Sequence, residues 1–259
     1  MNKAGYDVVS KVPQVTLMFW VIKICATTVG ETGGDAFSMT LNLGYAVSSL
    51  IFLGVFIATL AWQLGSKRYH PFAYWAVVVA TTTVGTTMSD FLDRTLGLGY
   101  VKSSALLFTG VLLVLVAWRL VTGRIEFENI RTKNEEIFYW VTILVSNTLG
   151  TALGDCVADD TGLGFERGAL VFAGLLVLLA AAHYFSNAPA NLTFWAAYVL
   201  TRPLGATLGD TITKPYAEGG LHLGRIDSSL VIAALMVSMI VMTYRRTARA
   251  GAPSNPEGV

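Results

Sequence analysis

Five acidic side chains, Glu31, Asp35, Asp90, Asp155 and Asp210, sit inside stretches otherwise made of Gly, Thr and apolar residues. Four of them close one motif. Gly30 to Asp35, Gly85 to Asp90, Gly150 to Asp155 and Gly205 to Asp210 all read G-x-x-x-[GS]-D. A carboxylate within hydrocarbon costs about 2.5–3.5 kcal/mol on insertion scales, so each must face a protein interior or water and find a partner. Four at one depth repel one another and call for a cation, protons or basic side chains. Read at i, i+4 spacing, which stacks side chains on one helix face, each motif extends into a polar stripe. The stripes are Lys23, Thr27, Glu31, Asp35; Val78, Thr82, Thr86, Asp90, Arg94; Asn147, Thr151, Asp155, Asp159; and Arg202, Ala206, Asp210, Lys214. Setting the five acids against the two deep bases, Lys23 and Arg202, leaves three negative charges in excess.

Glu31 breaks the repeat symmetry, since it replaces a Thr or Ala position in the first motif alone. It puts two carboxylates one helical turn apart, with Thr27 and Thr28 beside them. Carboxylate, hydroxyl and water oxygens suit Mn2+, Mg2+ or Ca2+. His70, His183 and His222 fall outside the motifs, and Cys25 and Cys156 hold non-equivalent positions, so zinc and copper sites and a disulfide framework are not expected. The expected metal ligands are Glu31, Asp35, Asp90, Asp155 and Asp210, with Thr27, Thr86, Asn147 and Thr151 completing the ion-binding site. Glu31 could serve instead as a proton carrier. Lys23 and Arg202 read as internal counter-ions, as a gate, or as an anion site. Arg202-Pro203 is expected to interrupt its helix, because proline removes a backbone bond. The bland alternative is that the acids only cap turns or tie helices together. Asp93, Asp159, Asp160, Glu166, Glu218 and Asp227 read as solvated loop charges or an acidic vestibule.

The elements that position these groups follow from composition and repetition. Of 259 residues 54% are hydrophobic and only 14% charged, with mean hydropathy +0.58. Residues 45–64, 100–120, 169–184 and 229–244 each approach the roughly 20 apolar residues of a bilayer crossing. Between them, 15–35, 72–90, 138–155 and 194–210 begin apolar and turn into Thr, Gly and Asp. Trp20, Tyr45 and Ser48 recur 55 residues later as Trp75, Tyr100 and Ser103, and Trp140 and Trp195 again precede their aspartates by 15. The chain therefore reads as an all-α integral membrane fold of eight transmembrane helices in four pseudo-symmetric two-helix repeats. The expected units are 12–66, 70–121, 137–186 and 190–246, with a cytoplasmic linker at 122–136 and a disordered tail at 247–259. In each unit an A helix carries the motif, a Gly turn follows, and an apolar B helix returns. Small-xxx-small packing should gather the A helices into an inner bundle with the B helices outside. Ser48, Ser49, Ser103, Ser104, Ser228 and Ser229 are expected as N-caps of the B helices.

The positive-inside rule sets orientation. Lys3, Lys11, Lys67, Arg68, Arg119, Arg124, Arg131, Lys133, Arg245, Arg246 and Arg249 fall on one side, against Arg94, Lys102, Arg167, Lys214 and Arg225 on the other. Both termini are then cytoplasmic. The four tryptophans should ring the cytoplasmic interface, and the aspartates lie about 22 Å deeper, in the outer half of the bilayer. The net charge of +1 without a basic run argues against a nucleic-acid partner. The bilayer and a small cation are the expected partners, and a homo-oligomer is compatible with the sequence.

The four motifs and their tryptophans resemble a bacterial inner-membrane family of four tandem two-helix repeats, each with a characteristic Trp, over residues 12–245. That resemblance implies an architecture and a bacterial inner-membrane location, with no activity attached. Glu31 to Asp35 also resembles the E-x-G-D motifs of manganese and calcium exporters, with a spacing one residue longer. The leading expectation is a carrier of small cations, foremost a divalent metal of the Mn2+ type leaving the cytoplasm, with metal or protons as transported ions and no resident cofactor. A non-transporting scaffold or regulatory subunit is the second, and a proton-coupled carrier of a small organic anion held by Lys23 and Arg202 the third. No nucleophile–base constellation suggests an enzyme.

Overall fold

A computed structural model describes residues 13–66, 69–125, 130, 132–186 and 188–250. Lys3, Lys11, Lys67, Arg68, Arg131 and the tail from Gly251 lie outside the described residues, as does part of the 122–136 linker. The described chain is helical, with no strand among the described residues. In order come α1 (Leu17–Asp35), α2 (Tyr45–Gly65), α3 (Pro71–Asp90), α4 (Tyr100–Thr122), α5 (Lys133–Asp155), α6 (Gly164–Phe185), α7 (Ala190–Thr213) and α8 (Arg225–Ala250). The odd-numbered helices are the A helices.

Their starts are fixed by caps. The Thr16 hydroxyl accepts from the Phe19 amide at 3.3 Å, and His70 Nδ1 does the same for Ala73 ahead of Pro71. Thr132 and Glu135 form a reciprocal capping box, at 3.2 and 2.9 Å. That box starts α5 at Lys133, four residues ahead of the expected repeat boundary at 137. The expected serine caps are corrected. α2 and α4 begin after Gly44 and Gly99, both at φ 74°, so Ser48, Ser49, Ser103 and Ser104 lie within the helices and are buried. Ser228 and Ser229 likewise fall inside α8, where Ser229 Oγ donates to the Arg225 carbonyl at 2.7 Å. α8 runs to Ala250, so the first residues of the expected tail are helical.

Five helical stretches are long and apolar enough to cross a membrane: Tyr45–Gly65, Tyr100–Thr122, Lys133–Asp160, Gly164–Phe185 and Arg225–Arg246. They make this a membrane protein. The four B stretches are only 11% to 22% buried, against 67% for the α5 stretch, so the B helices offer their apolar side chains outward and the A helices face inward.

The A helices pack in a closed ring, α1 on α3, α3 on α5, α5 on α7 and α7 back on α1. Each B helix rests on the A helix of the next repeat, α2 on α3, α4 on α5 and α6 on α7, and α8 closes the circle on α1. The motif glycines explain the inner ring. A Cβ at Gly30 would collide with Thr82, at Gly85 with Asn147, at Gly150 with Arg202 and at Gly205 with Thr27. Each partner stands eight residues before the next repeat's aspartate, so one close-approach contact is made four times around the axis.

One end of the axis is closed by aromatics. Phe19, Tyr74, Tyr139 and Phe194 lie there, with the Tyr74 and Tyr139 hydroxyls 2.8 Å apart. Trp75 and Trp140 are 4% and 1% exposed and Trp20 and Trp195 half-buried, which corrects the expected interfacial tryptophan ring. Packed together in a hydrophobic plug, these rings contribute burial rather than headgroup contact.

Candidate ion-binding site

Past the plug, the axis becomes polar because the A-helix stripes point into it. Arg202, fully buried, reaches all three other A helices. Its Nη2 pairs with Glu31 Oε2 of α1 at 2.9 Å and donates to Thr151 Oγ1 of α5 at 2.7 Å and to Thr86 Oγ1 of α3. Thr86 Oγ1 in turn donates to Glu31 Oε2 at 3.1 Å. The arginine stem lies over Gly150, where no side chain blocks it. Pro203 does not interrupt α7, which is continuous from Ala190 to Thr213. The proline ring seats against Gly150 of α5, where no side chain stands in the way.

One turn further out, carboxylate oxygens of Glu31, Asp35 and Asp210 all lie within 4.8 Å of one another, on residues 3%, 1% and 2% exposed. Asp90 and Asp155 are buried at the same level of their helices but lie outside this trio. The trio arises because α1 and α7 are neighbours, and Gly209 lets Glu31 press against α7.

The acids are not left to themselves. Asp90 pairs with Arg94 at 3.0 Å, Asp210 with Lys214 at 3.6 Å and Asp35 with Arg225 at 3.5 Å. Three bases expected in outer turns thus come onto the acid layer and meet the three-charge excess. Arg94 and Lys214 were visible in the stripes, four residues past their aspartates. Arg225 was not, since it reaches Asp35 only because α8 closes on α1. Asp155 makes no ion pair among the described residues. Asp93, expected as a solvated charge, is 6% exposed and accepts from Ser89 Oγ at 3.0 Å.

The remaining expected site residues divide. Thr86 and Thr151 touch the Arg202–Glu31 pair. Thr27 and Thr28 donate their hydroxyl hydrogens to a backbone carbonyl of the preceding turn, Thr27 to Ile24 at 2.8 Å and Thr28 to Ile24 at 3.0 Å, which leaves the oxygen lone pairs as acceptors. Asn147 Nδ2 donates to Thr81 Oγ1 at 3.0 Å, away from the trio. Lys23, fully buried, sets its Nζ over the Tyr198 ring, 4.2 Å from the centroid.

Hard oxygens of three carboxylates at this spacing can be spanned by one cation with bonds of about 2.0–2.6 Å, the range of Mg2+ and Ca2+. The same oxygens can share a proton or hold a tethered base.

No curated protein and no solved structure matches this chain. A family of repeats does, and its four matches, residues 18–69, 73–124, 138–188 and 193–249, fall on the four helix pairs just described. Each match holds one A helix with its Gly-Asp end and the B helix that leans on its successor, and with all four matched the chain belongs to the family described as Repeat of Unknown Function (DUF347).

Proposed function

We propose that the protein is an eight-span carrier of small cations in a bacterial inner membrane, with both termini cytoplasmic, and that its foremost cargo is a divalent metal of the Mn2+ type exported from the cytoplasm. Glu31, Asp35 and Asp210 hold the ion, and Asp90 and Asp155 pass it, or protons, along the axis. The single observation that carries this reading is the convergence of three buried carboxylates from two neighbouring A helices. Arg202, Lys214 and Arg225 then act as tethered counter-ions, neutralising the acids when no cargo is bound and yielding when a hydrated ion enters. Intramembrane acids paired in this way mark ion pathways.

The test is Mn2+ flux into proteoliposomes of the purified chain. Glu31→Gln and Asp210→Asn should each lower the flux at least about tenfold, the loss of roughly 1.4 kcal/mol in one charged ligand's contribution. Glu166→Gln, on the exposed start of α6, should leave it unchanged. Flux no greater than through empty liposomes, or full activity in both trio variants, rules the reading out. The near one-for-one match of acids and bases favours a second reading, a non-transporting scaffold whose charges lock the bundle. In that case the same variants lower thermal stability while wild-type flux stays at background.

A further inference from the structure

We propose a second site on the same axis, on the plug side of the carboxylate trio: a small monovalent anion of the halide class held by Lys23 and the free edge of Arg202. Among the described residues the ion pairs along the axis, Glu31 with Arg202, Asp35 with Arg225, Asp90 with Arg94 and Asp210 with Lys214, leave one group over at each level. Asp155 is left among the acids, and Lys23 is left toward the aromatic plug, about 18 Å from the acid level along its helix. Lys23 is 0% exposed, and its Nζ has no hydrogen-bond partner among the described residues. An isolated buried ammonium is among the costliest groups a protein interior can hold. The Tyr198 ring beneath it offers attraction without accepting a conventional hydrogen bond.

Arg202 stands one turn beyond Tyr198 on α7. It spends Nη2 on Glu31 and the threonines, while Nε and Nη1, also buried, have no hydrogen-bond partner among the described residues. Two cationic heads with unused donors thus lie on adjoining helices, and no acid among the described residues is paired to Lys23. Water would accept their hydrogens but leave the two like charges uncompensated. A small anion satisfies both demands. The positions equivalent to Lys23 in α3 and α5 are Val78 and Ile143, fully buried and apolar, so the layer suits a compact, weakly hydrated anion rather than a phosphate or sulfate with many acceptors to satisfy.

Bromide is the probe. The full chain in detergent is melted in sodium bromide and in sodium gluconate at equal ionic strength. Bromide at ten times its dissociation constant should raise the midpoint by about 3–6 °C. Lys23→Met should abolish that rise while keeping any stabilisation by Mn2+, whereas Glu31→Gln should lose the Mn2+ effect and keep the bromide effect. No rise in the wild type, or an undiminished rise in Lys23→Met, overturns the site. Should Lys23→Met fail to fold, bromide-soaked crystals of the wild type decide the matter. An anomalous peak beside Lys23 Nζ supports the site, and peaks only elsewhere overturn it. A failed Mn2+ flux assay leaves each of these readings unaffected.

Discussion

Arg202 is the residue on which the four inner helices agree. It is buried at the centre of the ring and touches a side chain of each of the other three A helices. Removing one member of such a pair is worse than removing both, because the survivor keeps an uncompensated charge. Arg202→Met alone should therefore destabilise the protein by about 3–5 kcal/mol, while Glu31→Leu combined with Arg202→Met should recover most of that loss. Denaturant unfolding in micelles reads the difference, and equal losses in the single and double variants contradict it. In the sequence Glu31 stands out by breaking the repeat symmetry and Arg202 as a base deep in a polar stripe. Their pairing does not, because Glu31 stands four residues before its aspartate and Arg202 eight before its own. Glu31 packs beside Gly209, and it is the long Arg202 side chain, running over Gly150, that spans the levels to reach it. The sequence did not show where the threonine hydroxyls point their hydrogens: inside a helix a Thr side chain can bond to the carbonyl three or four residues back, as Thr27 and Thr28 do.

The helices themselves were legible from hydropathy and period, since long apolar runs and a small-residue face leave few other structures open. Their ends were less so. After Asp35, Asp90 and Asp155 the helix continues through a π-helical turn, Ala36–Thr40, Phe91–Thr95 and Cys156–Asp160, which no residue type signals. In the fourth repeat Pro215 occupies the position of Thr40, Thr95 and Asp160. Proline disfavours helical geometry in the residue before it, and α7 stops at Thr213. Glycines divide by what they face. Gly150→Ala should cost about 1–3 kcal/mol, since the added methyl meets Arg202 and Pro203. Gly54→Ala on α2 meets nothing and should stabilise by about 0.5–1 kcal/mol through helix propensity. Thermal unfolding of the two variants side by side checks the contrast, and a shift of the same sign in both would refute it.

For the whole molecule, the motif recurring at 55, 65 and 55 residues made four units legible, and the family match supports that count. Which unit leans on which was not legible, because every B helix is apolar enough to serve any neighbour. Orientation remains the proposal drawn from charge. It predicts that Ala217→Cys, in the exposed connection between α7 and α8, is labelled by an impermeant maleimide on intact cells in a Cys25→Ser, Cys156→Ser background. Labelling only in inverted vesicles would reverse the topology. The leaning of α8 on α1, sealed by Ser229 Oγ bonding Thr32 Oγ1 at 2.7 Å, has a larger consequence. In an open solenoid a duplicated unit merely lengthens the stack. Here a fifth copy would have to pry the circle apart and a lost copy would shrink it, and either change would draw Arg202 off the threonines across the axis. Copy number is therefore held by geometry rather than by descent alone, and change is confined to exchanging side chains within four fixed places.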